Sequence, residues 1–101
     1  MRILIDACLC SKGGGVQVAL AFIENIAIDP TFEVICVVIS EIDSQLSSLA
    51  KGKIKHYFME KIEPIYKKFS QANRIARIEK KYNPDIVFIV LILGLSNRKI
   101  N

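Results

Sequence analysis

The chain has 101 residues, of which 51% are hydrophobic and 24% charged, and its formal net charge is +4. This composition excludes a disordered or fibrous protein and fits one small globular α/β domain, which buries about 60 to 70 per cent of the surface that its unfolded chain exposes. We expect no nucleic-acid partner, because the charge is modest and no aromatic residues interleave with the basic ones to stack on bases.

The first third of the chain predicts a β-α-β unit. A short apolar run over 2–6 predicts a strand, and apolar residues at helical spacing over 16–28 predict a helix. Asp29 and Pro30 end this helix, because a residue that precedes proline avoids the helical region. The β-branched series VICVVI within 33–40 is typical of a strand that is buried on both faces.

A short helix and an edge strand are predicted next. The helix covers about 43–50, with Gly52 closing it. Its apolar face consists of Leu46, Leu49 and Ala50. The segment KIKHYFM over 53–59 alternates in polarity, which favours a strand at the edge of a sheet with His56 at the surface. Ile54 and Phe58 face one side, and the other side takes Lys53, Lys55 and Tyr57.

A long helix is predicted from Pro64 to Tyr82, followed by an NPD turn and a last strand over 86–93. That strand is far shorter than the roughly 20 residues of a membrane-spanning helix. The apolar side of the long helix consists of Ile65, Phe69, Ala72 and Ala76. A basic arc lies opposite and consists of Lys67, Arg74, Arg77 and Lys81. This arc is either a solvated helix face or a contact with anionic lipid headgroups.

These elements predict one half of a Rossmann-like fold, a parallel sheet of about four strands in the order 3-2-1-4 with helices on both faces. Ligands of such sheets bind beyond the carboxyl ends of the strands, at the switch point between the first and fourth strands. The topology gathers Asp6, Gly13, Gly14, Gly15 and Gly94 there. The bare backbone and the positive end of the helix dipole favour an anion.

The glycine run does not identify the anion. The fingerprint G-x-G-x-x-G is absent, and the segment before Gly13 is longer than the tight turn of a nicotinamide-binding domain. Glu41 and Asp43 nevertheless follow the second strand, where an acidic residue binds ribose. A P-loop is excluded because no Gly-Lys-Ser/Thr ends the run. Two alternatives remain for the chain: an NAD(P)- or nucleotide-binding half-domain, and a small α/β interaction module without a ligand. If the glycine run binds nothing, it is only a flexible connection.

The three cysteines predict reduced thiols. Cys8, Cys10 and Cys36 are odd in number, and no secretory signal is visible, which indicates a cytoplasmic protein. Cys8 and Cys10 are close enough for a metal, but a structural zinc ion needs four ligands and the chain adds only Cys36 and His56. We interpret the cysteines as small apolar residues and expect no metal.

Two segments resemble a known family. MRILIDA followed by GGGVQVALAFIENI, and the later YNPDIVFIV, resemble the N-terminal domain of retaining GT-B fold glycosyltransferases, the group called glycosyl transferases group one. The resemblance covers most of the chain and is most specific from Gly13 to Gln17. It implies that Gly13, Gly14 and Gly15 lie near the diphosphate of a nucleotide-sugar donor, with Gln17 and Asp6 as further polar contacts. Asp6 alternatively bonds loop amides at the strand end, and Gln17 is alternatively a surface residue.

The resemblance implies transfer of a sugar from a nucleotide-sugar donor to a glycan or lipid-linked acceptor, with no further cofactor. Such enzymes need a second domain that neutralises the leaving diphosphate. We expect residues 1–101 to be a single partial domain, inactive alone, and peripheral at the inner membrane face if the basic arc contacts lipid. A partial domain leaves strand four with an unpaired edge, which predicts self-association there.

Overall fold

One mixed sheet with helices on both faces makes up the described part of the chain. The computed structural model describes residues 1–9, 14–61, 68–91 and 94–99. Its strands are β1 (Arg2–Ala7), β2 (Glu33–Ile39), β3 (His56–Glu60), β4 (Ile86–Leu91) and β5 (Gly94–Lys99). Its helices are α1 (Gly14–Ala27), α2 (Ser40–Asp43), α3 (Ser48–Lys53) and α4 (Lys68–Tyr82). None of these helices is long and apolar enough to cross a membrane.

The strand order is β3-β2-β1-β4-β5, and the first four of these strands are parallel to their neighbours. The predicted order 3-2-1-4 is therefore confirmed, as is the edge position of β3. β1 lies at the centre of the sheet, where Ile5 is opposite Cys36 of β2 and Phe88 of β4. The chain order reverses between β1 and β4, so the switch point lies at their carboxyl ends.

The far side of β4 differs from the expectation. We predicted a free edge on strand four, but β5 runs antiparallel along it, with Leu91 opposite Gly94 and Ile86 opposite Lys99. The expectation of a free edge is wrong because the segment GLSNRK completes the backbone hydrogen bonds of β4, although its sequence lacks a strand pattern. Self-association of the chain stays a prediction, and through the edge of β4 it would require β5 to detach.

The two central strands are buried on both faces. Residues Val34 to Ile39 of β2 are at most 1% exposed. Neighbouring residues of a strand point to opposite faces, so Ile5 and Phe88 share one face, and Asp6 and Val37 share the other. α1 packs on the first face, where the ring centroids of Phe22 and Phe88 are 5.0 Å apart.

α4 packs on the second face. Its Tyr82 ring lies 4.2 Å from the ring of His56 and 6.1 Å from that of Phe58, measured between centroids. Phe58 is paired with Val37, which places both on the Asp6 side of the sheet. His56 is half-buried under this contact and is not the surface residue that we expected.

The region between β2 and β3 contains two short helices in place of the one predicted over 43–50. Ser47 caps the start of α3, and its Oγ accepts a hydrogen bond from the Ala50 N–H at 3.1 Å. Glu24 of α1 accepts hydrogen bonds from the Ser47 N–H and hydroxyl, at 2.9 and 2.6 Å. These bonds also lower the pKa of Glu24. Because Glu24 of α1 positions the Ser47 cap, α3 starts later than the local sequence predicts. Leu49, which we expected on the apolar face, is 63% exposed.

α4 is rotated relative to the predicted helix. Phe69 is 79% exposed, and Ala72 and Ala76 are also exposed. The side that faces the sheet consists of Gln71, Arg74, Ile75, Ile78 and Tyr82, all at least partly buried. The apolar-face prediction was wrong because polar contacts, described below, hold Gln71 and Arg74 on the inner side. The predicted helix start at Pro64, and Ile65, lie outside the described residues.

Polar contacts join the amino ends of the strands. The Arg2 backbone N–H donates to the Asp85 carboxylate at 2.8 Å, and the Asp85 N–H donates to the Arg2 carbonyl at 2.8 Å. The Arg2 side chain donates from Nε to Glu33 of β2 at 2.6 Å. Asn83 ends α4 with φ 48° while its N–H donates to the Glu79 carbonyl. The predicted NPD turn therefore positions β4 beside β1.

We predict that Gly52→Ala stabilises the protein. Gly52 lies inside α3 and was wrongly predicted to end a helix. Apart from the adjacent backbone of the helix, no atom lies within 4 Å of the position that a β-carbon would occupy. Alanine loses less backbone entropy in a helix, so the free energy of unfolding should rise by about 0.5 kcal/mol. Urea denaturation monitored by circular dichroism measures this change. An unchanged or lower midpoint would contradict the open environment assigned to Gly52.

Candidate functional site

The residues that the sequence predicts to form one site lie at the carboxyl edge of the sheet. β1 ends at Ala7 directly after Asp6, and Gly94 pairs with Leu91 where β4 ends. α1 begins at Gly14, a short distance along the chain from β1. The parallel arrangement of β1 and β4 puts these ends on the same side of the sheet, at the switch point.

Gly14 and Gly15 are the first two residues of α1, which starts two residues before the predicted helix. Gly15 is buried, whereas Gln17 is exposed on the first turn. The first turn of a helix has backbone N–H groups without intrahelical partners, and α1 has no acidic residue there. The dipole adds partial positive charge. The first turn of α1 therefore has the electrostatic character that favours an anion. Gly13 lies outside the described residues.

Asp6 lies on the α4 side of the same edge and is 9% exposed. Its Oδ1 accepts a hydrogen bond from the Cys8 N–H at 3.1 Å. This is the bond to a loop amide that we considered for an aspartate at a strand end. Asp6 therefore orders the start of the loop, and it also borders the cavity described next.

A cavity of about 230 Å³ lies between the end of β1 and α4. Its walls are Asp6, Leu9, Gln71, Ala72, Ile75, Ala76 and Glu79. Sequence analysis missed this cavity because it assigned Ala72 and Ala76 to the sheet-facing side of the helix. The available signal was the buried polar Gln71 in step with Ile75, Ile78 and Tyr82, which marks the true inner side.

The predicted basic arc is not continuous. Arg74 turns inward and pairs with Glu60 of β3, with Nη2 2.6 Å from Oε1 and Nε 3.0 Å from Oε2. Arg77 and Lys81 are exposed, as predicted, and so is Lys80, which we had not included. Lys67 lies outside the described residues. We call Arg77, Lys80 and Lys81 the basic surface of α4.

The acidic residues after β2 have different surroundings. Asp43 accepts a hydrogen bond from the Tyr57 hydroxyl at 2.7 Å and pairs with Lys51 at 3.2 Å. The Tyr57 bond, followed by the Lys51 contact, lowers the pKa of Asp43. Burial and the bond to Asp43 raise the pKa of Tyr57. Asp43 is thus occupied by its neighbours, and of the two candidate ribose partners only Glu41 is exposed.

Cys8 and Cys36 are core residues, which confirms their interpretation as small apolar side chains. They are 2% and 0% exposed, and Cys8 Sγ lies 3.8 Å from the Val37 carbonyl oxygen. Burial raises the pKa of Cys36, and the charge of Asp6 adds to this rise. No group of three His, Cys, Asp or Glu residues that could hold a metal occurs within the described ranges. Cys10 falls between two of these ranges.

Comparison with known proteins assigns no family to the chain. No protein-family model, curated protein or solved structure matches it. The features that define the candidate site are the glycine-rich start of α1 and the cavity beside Asp6.

We predict that the two core thiols resist alkylation in the folded protein. In a Cys10→Ser variant, iodoacetamide at pH 8 should modify Cys8 and Cys36 only as fast as the chain unfolds, because both thiols are shielded and burial also raises the pKa of Cys36. Mass spectrometry of samples with and without urea measures the modification. Rapid labelling of Cys36 without urea would contradict its position in the core.

Proposed function

We propose that the chain is the N-terminal domain of a GT-B type glycosyltransferase, with the start of α1 beside the diphosphate of a nucleotide-sugar donor. The observation that carries this proposal is the position of Gly14 and Gly15, which open α1 at the carboxyl edge of a sheet with the order 3-2-1-4. Glycine at these positions keeps side chains away from the helix N-terminus, so a phosphate can approach the backbone.

Within this proposal the residues have separate roles. The N–H groups of the first turn of α1 donate to diphosphate oxygens, and the exposed Gln17 adds a polar contact at the same turn. Asp6 contributes indirectly, because its bond to the Cys8 N–H fixes the backbone directly after β1. Gly13 is assigned the same phosphate contact by resemblance alone.

The proposed reaction needs more than this site. Sugar transfer requires that the leaving diphosphate is neutralised while the acceptor, a glycan or lipid-linked sugar, is held in line. Among the described residues, the basic side chains of α4 belong to the opposite face of the sheet from α1, and Arg2 and Lys51 are in ion pairs. We therefore propose that a second domain supplies the neutralising charge and that the 101-residue chain alone binds a nucleoside diphosphate without turnover.

We predict that Gly14→Val weakens binding of UDP by about ten-fold or more, since the new side chain displaces a phosphate from at least one charge-assisted hydrogen bond. Gly52→Val is the matched control, because no other part of the fold lies within 4 Å of the position of its β-carbon in α3. Isothermal titration calorimetry measures the affinities, and thermal melts without UDP check that both variants fold.

Three results would contradict this proposal. One is UDP binding that Gly14→Val leaves unchanged. Another is tighter binding of ADP-ribose or NAD than of UDP, which would favour the dinucleotide alternative and the exposed Glu41. The third is no binding of any nucleotide by the wild-type chain, which would favour an interaction module.

We further propose that the basic surface of α4 faces anionic lipid, which would place the parent enzyme in the cytoplasm at the inner face of a membrane. The three cations of this surface are exposed within two turns of one helix. Phe69, 79% exposed, lies on the same outer side as Lys80. Cations and an exposed aromatic ring on one side fit the headgroup region of a bilayer.

We predict that wild-type protein sediments with phosphatidylglycerol vesicles. The triple variant Arg77→Glu, Lys80→Glu and Lys81→Glu should lose this association, since each basic residue contributes about 1 kcal/mol near an anionic surface. The matched control exchanges three exposed lysines elsewhere, namely Lys53, Lys55 and Lys61, for glutamate. Equal sedimentation of both triple variants would show that net charge alone, not this surface, determines binding.

A further inference from the structure

We propose that the cavity between β1 and α4 binds a small organic ammonium ion. This cavity is separate from the first turn of α1, and the proposal does not depend on sugar transfer. It follows from three properties of the cavity walls: their apolar residues, a buried amide, and the sign of the charged side chains.

The apolar part of the wall suits a short hydrocarbon chain. Ala72, Ile75 and Ala76 form the α4 side, and Leu9 stands opposite with 39% exposure. The two alanines are one helical turn apart, so the space that larger side chains would occupy remains open to a ligand. Burial of a methylene group against such a wall contributes about 0.8 kcal/mol.

Gln71 provides a hydrogen-bond acceptor within this wall. Its side chain is 2% exposed, and Nε2 donates to the Lys61 carbonyl at 2.9 Å. Among the described residues no donor to its Oε1 is found. Since the amide orientation is held by the Nε2 bond, Oε1 is the group of Gln71 that is available to a donor in the cavity. A ligand with N–H groups satisfies this acceptor.

The charged groups in the wall are both acidic. Asp6 and Glu79 line the cavity, and no basic residue lines it in the part of the chain that the structure describes. Both residues also have interactions within the protein, and for Asp6 one of these is the bond that Oδ1 accepts from the Cys8 N–H. An ionised carboxylate has about four lone-pair sites, so a ligand can share it with a protein donor. Among the described residues, the walls therefore present acceptors that favour a cation over an anion.

The test is a titration of the wild-type chain with three compounds of matched size, followed by two-dimensional ¹H–¹⁵N NMR. The compounds are n-butylammonium, n-butanol and butyrate. We expect saturable shifts of the Leu9, Gln71 and Ala76 amides with n-butylammonium only. Equal binding of n-butanol would overturn the role of charge, and binding of butyrate at the same amides in preference to n-butylammonium would overturn the sign of that charge. No saturable shift with n-butylammonium would overturn the site.

Two variants locate the ligand. Glu79→Gln keeps the size of the side chain and removes its charge, so n-butylammonium should bind at least ten-fold more weakly. Glu41→Gln, an exposed residue outside the cavity, is the control with the same change in net charge and should bind as the wild type does.

Ala76→Leu fills the cavity from the exposed side of α4 and should abolish the shifts while circular dichroism remains unchanged. Retained binding by Ala76→Leu, or equal losses in both glutamine variants, would overturn the proposal.

Discussion

The fold depends on one constraint: β1 and β2 are hydrogen-bonded on both edges and buried on both faces. Every side chain of β2 from Val34 to Ile39 is buried, so the sheet cannot be stable unless helices cover both of its sides. α1 covers the side of Ile5, and α4 covers the side of Asp6. Right-handed crossovers on opposite faces then require the chain order to reverse next to β1, which creates the switch point. The candidate site is a consequence of how the core is covered.

α4 connects the core to the properties of the surface. Two polar contacts set its rotation: Gln71 donates to the Lys61 carbonyl, and Arg74 pairs with Glu60 of β3. This rotation turns Phe69 and Lys80 outward, where they form part of the proposed lipid-facing side. It also leaves Ala72 and Ala76 beside Asp6, where their small size creates the cavity. The same rotation therefore underlies the two proposals that concern α4.

The parts of this fold that could be predicted are those determined by local pattern and chain order. The VICVVI series identified β2, Asp29 and Pro30 marked the end of α1, and parallel connections placed Asp6 and the glycines at one edge. The errors arose where a distant residue decided the outcome. Glu24 accepts a hydrogen bond from Ser47 and so shifts the start of α3. The ion pair with Glu60 holds Arg74 on the inner side of α4. Backbone hydrogen bonds from β4 make GLSNRK a strand. The cavity was missed because it depends on the rotation of α4, which the contacts of Gln71 and Arg74 set.

The most direct test of this account is whether β1 lies between β2 and β4. Cross-strand nuclear Overhauser effects on uniformly ¹³C/¹⁵N-labelled protein would measure it. The strand order predicts contacts from the backbone of Ile5 to that of Cys36 on one side and to that of Phe88 on the other. Contacts from Ile5 to only one of these strands, or between β3 and β4, would contradict the strand order and, with it, the switch point on which the proposed site depends.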